Sequence, residues 1–130
     1  MPAAERKGIL IVEDEQDLAE LAAMLLEAEG HEVRTAANGA EALELVEQQM
    51  PALILLDLKM PVMDGGQFVR ALRARYDDVP PIVVVSAVDD VRKRAQEIGA
   101  DGWLSKPYVP NDLVRLASPY APAALAPPAL

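Results

Sequence analysis

The chain alternates short apolar runs with segments whose apolar residues recur at helical spacing, and it completes that alternation five times. The runs predict strands over 8–12, 32–36, 52–56 and 81–85, with a weaker one over 102–105. Such a repeat buries its apolar surface when the strands lie parallel in one sheet with helices on both faces, so the pattern predicts a doubly wound α/β fold. Ile9-Leu10-Ile11-Val12, Leu53-Ile54-Leu55-Leu56 and Ile82-Val83-Val84-Val85 are wholly apolar, as strands covered on both faces must be.

Between the runs, Leu18, Leu21, Ala22, Leu25 and Leu26 mark one face of a first helix that Gly30 should end. Leu43, Val46 and Met50 mark a second, over 42–50, stopped by Pro51. Phe68, Val69, Leu72 and Tyr76 mark a third, and Val88, Val91, Ala95 and Ile98 a fourth, closed by Gly99. A fifth is capped by Asn111 and stopped by Pro119, barely two turns later. The chain thus divides into one folded unit over 1–118 and a Pro/Ala-rich apolar tail over 119–130.

Composition removes several classes of function. Without cysteine there is no disulfide or thiolate metal site, and a single histidine, His31, makes a histidine-rich metal centre untenable. The formal net charge of −9 repels a phosphate backbone, so no direct contact with nucleic acid is expected. No apolar run reaches the length of a signal or membrane segment, which gives the expectation of a cytoplasmic protein that does not enter a membrane.

Parallel strands deliver their C-terminal ends to one edge, where open α/β sheets bind ligands. Strand one runs into Glu13-Asp14-Glu15, strand three into Asp57, strand four into Ser86 and strand five into Lys106. Strand two ends in Ala36-Ala37-Asn38, without charge, which suits an outer position. Each residue alone has an ordinary explanation, such as an acidic helix start or a surface lysine. Their convergence on one edge does not. Clustered carboxylates repel unless a cation intervenes, and an oxygen-only ligand set suits Mg²⁺. With a hydroxyl and an ammonium beside it, one carboxylate is then placed for phosphoryl transfer.

The stretches Ile9-Leu10-Ile11-Val12-Glu13-Asp14-Glu15, Leu55-Leu56-Asp57-Leu58-Lys59-Met60-Pro61-Val62-Met63-Asp64-Gly65, Val85-Ser86-Ala87 and Gly99-Ala100-Asp101-Gly102-Trp103-Leu104-Ser105-Lys106-Pro107-Tyr108 resemble the receiver domain of two-component response regulators. The resemblance runs from Gly8 to about Leu116. It implies a five-stranded sheet in the flavodoxin-like order 2-1-3-4-5, and a switch that takes its phosphoryl group from a sensor histidine kinase or histidine phosphotransfer protein and signals to a protein effector. Asp57 would be the phosphoacceptor. Asp14, Asp57 and the backbone carbonyl of Lys59 would hold Mg²⁺, with Glu13 acting through a water. Lys106 would contact the phosphoryl group, Ser86 would shift toward it, and Trp103 would turn inward behind Ser86. Ala87, Val88 and Pro107 would flank the site, with Val88 shielding the acyl phosphate, and the bond between Lys106 and Pro107 would be cis.

Two features depart from the family pattern. Trp103 stands where tyrosine or phenylalanine is usual, and the short fifth helix leaves the face used by many family dimers incomplete. Asp101 keeps the acidic position of that face, whereas Leu116 replaces its basic partner. The oligomeric state stays open, and the apolar tail is expected to cover that face or dock a neighbour. Competing functions remain. An aspartyl-phosphate phosphohydrolase wants a second acid two residues after its nucleophile, where Lys59 stands. A nucleotide or flavin binder wants a glycine-rich phosphate loop where Glu13-Asp14-Glu15 stands. A receiver-like interaction module without phosphorylation is the third.

Overall fold

A computed structural model describes residues 5–120. The elements are β1 (Ile9–Val12), α1 (Gln16–Glu27), β2 (Val33–Ala36), α2 (Gly39–Gln48), β3 (Leu53–Leu56), α3 (Gly65–Arg75), β4 (Ile82–Ser86), α4 (Val91–Glu97), β5 (Gly102–Ser105) and α5 (Pro110–Ala117), with a 3-10 turn at Ser118–Tyr120. All pairings are parallel and the strand order is β2-β1-β3-β4-β5. The doubly wound sheet expected from the alternation is therefore present, with β2 outermost on one side.

Side chains of a strand alternate between faces, and two cores follow from that parity. Leu10, Val12, Ile54, Leu56 and Ile82 pack beneath α2 and α3 with Leu43, Val46, Phe68 and Leu72. Ile9, Ile11, Leu53, Leu55, Val83 and Val85 pack on the other face with Ala19, Ala22 and Leu26 of α1 and Leu113 and Ala117 of α5. A third, smaller cluster of Leu58, Val84, Val91 and Ala95 seats α4.

Several boundaries move for local reasons. Strands one to three begin one residue later than the apolar runs, and β4, from Ile82 to Ser86, is shifted one residue later than expected at both ends. α2 starts three residues early because the Asn38 side chain accepts from the Glu41 N–H at 2.9 Å, closing its first turn. α4 excludes Val88, since Asp90 caps the helix; Val88 instead packs from the preceding loop onto the same cluster as Val91. Asn111 is not the cap of α5: Pro110 occupies the first helical position after Val109, where its fixed φ and missing N–H cost nothing. The α1 face is also narrower than expected. Ala19, Ala22 and Leu26 are buried, whereas Leu21 is 49% exposed, turned toward a cleft between α1 and the start of α5. Gly99 closes α4 with a left-handed φ of 71° and Gly30 follows α1 with φ 91°, both as their positions required. Of the tail expected over 119–130, Pro119 and Tyr120 belong to the 3-10 turn, and 121–130 lie outside the described residues.

Candidate functional site

Strand register sets the site. Val12 pairs with both Ala36 and Leu56, Leu56 with Val84, and Ser86 with Ser105, so the strands finish nearly level. Backbone bonds continue the pairing into the site, from Asp57 N–H to Val12 O at 2.9 Å and from Lys106 N–H to Ser86 O at 2.9 Å. Gly65 fixes the next turn: a Cβ there would fall 2.7 Å from the Asp57 carbonyl oxygen, so only glycine lets α3 start against the strand end. Asp64 and Gln67 then close the first turn of α3 with reciprocal bonds of 2.9 and 3.0 Å.

The Asp57 carboxylate is buried and occupied on both oxygens. Ser86 Oγ donates to Oδ1 at 2.8 Å, the Lys59 N–H reaches the same oxygen at 3.3 Å, and the Lys106 ammonium donates to Oδ2 at 3.2 Å. Lys106 also donates to Glu13 Oε1, so one ammonium bridges two buried carboxylates. Asp14 is exposed at the mouth, yet Glu13, Asp14 and Asp57 each offer an oxygen within 4.8 Å of the others.

Burial dominates Glu13 and pushes its carboxyl up to about 7, against the hydrogen bond from Lys106 and with the neighbouring Asp57 adding to the rise. Burial alone would lower Lys106, but the two carboxylates outweigh it and hold the ammonium above its ordinary value. The two shifts share a cause: a poorly hydrated cluster with more negative than positive charge keeps its protons. Such a cluster offers a hard cation what it lacks, and the all-oxygen donor set fits Mg²⁺.

The residues singled out in the sequence fall into two groups. Glu13, Asp14, Asp57, Lys59, Ser86, Ala87, Val88, Lys106 and Pro107 line one cleft of about 690 Å³, and the bond between Lys106 and Pro107 is cis. Trp103 is not among them; it lies on β5, 46% exposed. Asp101 spends its carboxylate within the fold, accepting from the Ile82 N–H at 2.9 Å. Two features escaped sequence reasoning. The ion pair between Glu13 and Lys106 joins positions 93 apart. Tyr108, two residues past the lysine, lines the cleft, and burial pushes its hydroxyl pKa up.

A parallel 2-1-3-4-5 sheet with an acidic cluster, a hydroxyl and a lysine at its C-terminal edge defines a class of doubly wound phosphoryl-handling domains. The model of the response regulator receiver domain matches residues 9–118, and the chain belongs to that family of two-component signalling domains. The family's members are phosphorylation-dependent switches that work between sensor kinases and effectors and typically bind Mg²⁺ at an acidic pocket. The transcriptional regulatory protein PrrA of Mycobacterium tuberculosis is 44% identical over 108 residues, covering 82% of this chain and 46% of that protein. The DNA-binding response regulator MtrA of Mycolicibacterium paratuberculosis is 39% identical over 111 residues, covering 84% and 48%. The chain thus spans about half the length of these curated relatives. Among solved structures, the chemotaxis response regulator CheY4 of Vibrio cholerae matches with a TM-score of 0.77 at 32% identity, covering 89% of this chain and 99% of that one. The Francisella response regulator 1452 receiver domain matches at 0.79 and 25% identity, covering 88% and 96%. Among the described residues no helix is long and apolar enough to cross a membrane.

Proposed function

We propose that Asp57 accepts a phosphoryl group from a phosphohistidine on a sensor kinase or phosphotransfer protein, and that the folded unit over 1–118 passes the change to a protein effector. The observation that carries this reading is the Asp57 carboxylate itself, buried at a strand end between the Ser86 hydroxyl and the Lys106 ammonium and flanked by Glu13 and Asp14. Asp14, Asp57 and the Lys59 carbonyl would hold Mg²⁺, with Glu13 acting through a water. Bound there, the cation neutralises charge on the transferring group.

In the transfer, an Asp57 oxygen bonds to phosphorus as the bond from phosphorus to the donor imidazole nitrogen breaks, and that nitrogen takes up a proton. Lys106 then exchanges a carboxylate oxygen for a phosphoryl oxygen, keeping its ammonium paired. Ser86 turns its hydroxyl from Asp57 Oδ1 to the phosphoryl group, vacating volume behind it into which Trp103 moves. Val88 packs over the acyl phosphate and slows its loss to water, so Val88→Asn shortens the lifetime of the adduct.

Transfer from a histidine-phosphorylated phosphotransfer protein tests the reading. Radiolabel should pass to the wild-type chain in Mg²⁺, pass far more slowly to Asp14→Asn, and stop in EDTA. Label that never leaves the donor, with acetyl phosphate equally inert, would support the module that works without phosphorylation.

A further inference from the structure

Among the described residues α4 is the shortest α-helix. It has seven residues and buries only Val91 and Ala95, in the smallest of the three clusters. Its two ends are held differently. At the N-terminal end Asp90 sits in a left-handed conformation, φ 52° and ψ 59°, uncommon for a residue with a side chain, and links α4 through three residues to Ser86. At the C-terminal end Arg73 reaches across from α3, donating from Nη1 to the Ile98 carbonyl at 2.6 Å and from Nη2 to the Gly99 carbonyl at 2.9 Å. These carbonyls lie where a helix end lacks partners, and a cation there also meets the negative end of the helix dipole. The fit is close: a Cβ on Gly99 would come within 3.1 Å of Arg73 Nη1.

We propose that Arg73 is a positioning residue, whose guanidinium latches the C-terminal end of α4 in the arrangement of the unphosphorylated domain and so sets how readily the segment 86–90 rearranges around Asp57. The inference rests on reading Asp57 as the phosphoacceptor. Ser86 donates to Asp57 at one end of that segment and α4 begins at the other, so a shift of the segment toward a new group on Asp57 pulls on the first turn of the helix. A latch on the far end opposes that motion. Release of the latch enlarges the fraction of molecules already rearranged, and a small donor reacts with that fraction.

The test uses the full chain with Arg73→Ala and Arg73→Lys. Trp103, the single tryptophan, lies on β5 beside α4 and reports that region by fluorescence. Without any donor, Arg73→Ala should speed amide exchange across α4 and shift Trp103 emission, while β3 amides keep wild-type protection relative to global stability. With acetyl phosphate and Mg²⁺, Arg73→Ala should gain the adduct roughly fivefold faster, the factor expected for one net hydrogen bond. Arg73→Lys, which keeps one charged donor, should fall between. An unchanged adduct rate beside a lowered melting temperature would overturn the proposal, leaving Arg73 a structural staple. A wild-type chain that takes no phosphate overturns the phosphoacceptor reading and the link to phosphorylation with it; unchanged α4 exchange overturns the latch itself.

Discussion

β3 and β5 finish at the same edge of one sheet, yet they are built for opposite purposes. β3 has neighbours on both sides, and all four of its residues are buried. Among the described residues β5 pairs only with β4, and its residues alternate between half-buried and exposed. The central strand delivers Asp57, the group proposed to do the chemistry, and the edge strand delivers Lys106 and Trp103, the groups proposed to sense and report it. Chemistry profits from a carboxylate held still, because orientation is most of what a phosphoryl-transfer site provides. A readout needs residues that can move at small cost, and those come from the low-stability end of a fold.

The largest effect follows from truncating the central strand. Ile54 is fully buried, and Ile54→Ala should lower unfolding free energy by about 2–5 kcal/mol through lost burial and the cavity left behind. On the edge strand, Trp103→Ala should cost within about 1 kcal/mol, the span of strand preferences at a partly exposed site. Equal losses in urea titrations of the two variants would break the contrast.

A third prediction sharpens it from the loop that follows Asp57. Val62 is 83% exposed with a φ of 68°, a conformation that a β-branched residue holds only under strain. Val62→Gly relieves that strain but loosens the unfolded chain, leaving a net gain of about 0.5–1 kcal/mol in thermal unfolding. A loss instead would mean that the loop is not strained.

The smallest effect is a pH slope far from the site. His31 is buried with Nδ1 lacking a partner, and burial lowers its pKa, with Glu29 opposing. Below its ordinary value near 6.5 the unfolded chain binds the proton more readily than the fold does, so this contribution to stability is lost as pH falls from 6.5 through the lowered folded value. His31→Leu should remove that part of the slope; an identical pH profile would show that His31 does not contribute.

The same contrast explains what the sequence could reveal. Uninterrupted apolar runs made β1, β3 and β4 legible to within a residue, and the weaker signal of β5 was the signature of an edge. The meeting of Glu13, Asp57, Ser86 and Lys106 was legible too, because parallel strands that end level must bring them together. Hidden were the contacts between distant positions: the bridge from Lys106 to Glu13, the Arg73 latch on α4, and the use of Asp101 inside the fold. Helix starts were misplaced where local chemistry competes, since the Asn38 cap begins α2 ahead of its apolar stripe and Pro110 begins α5 ahead of the cap expected at Asn111.

The phosphoacceptor claim is tested most directly by intact-mass measurement after incubation with acetyl phosphate and Mg²⁺, on wild type and on Asp57→Asn. The account predicts a single phosphate adduct on the wild-type chain and none on the variant. An adduct of equal yield on Asp57→Asn, or none on either chain, would contradict it.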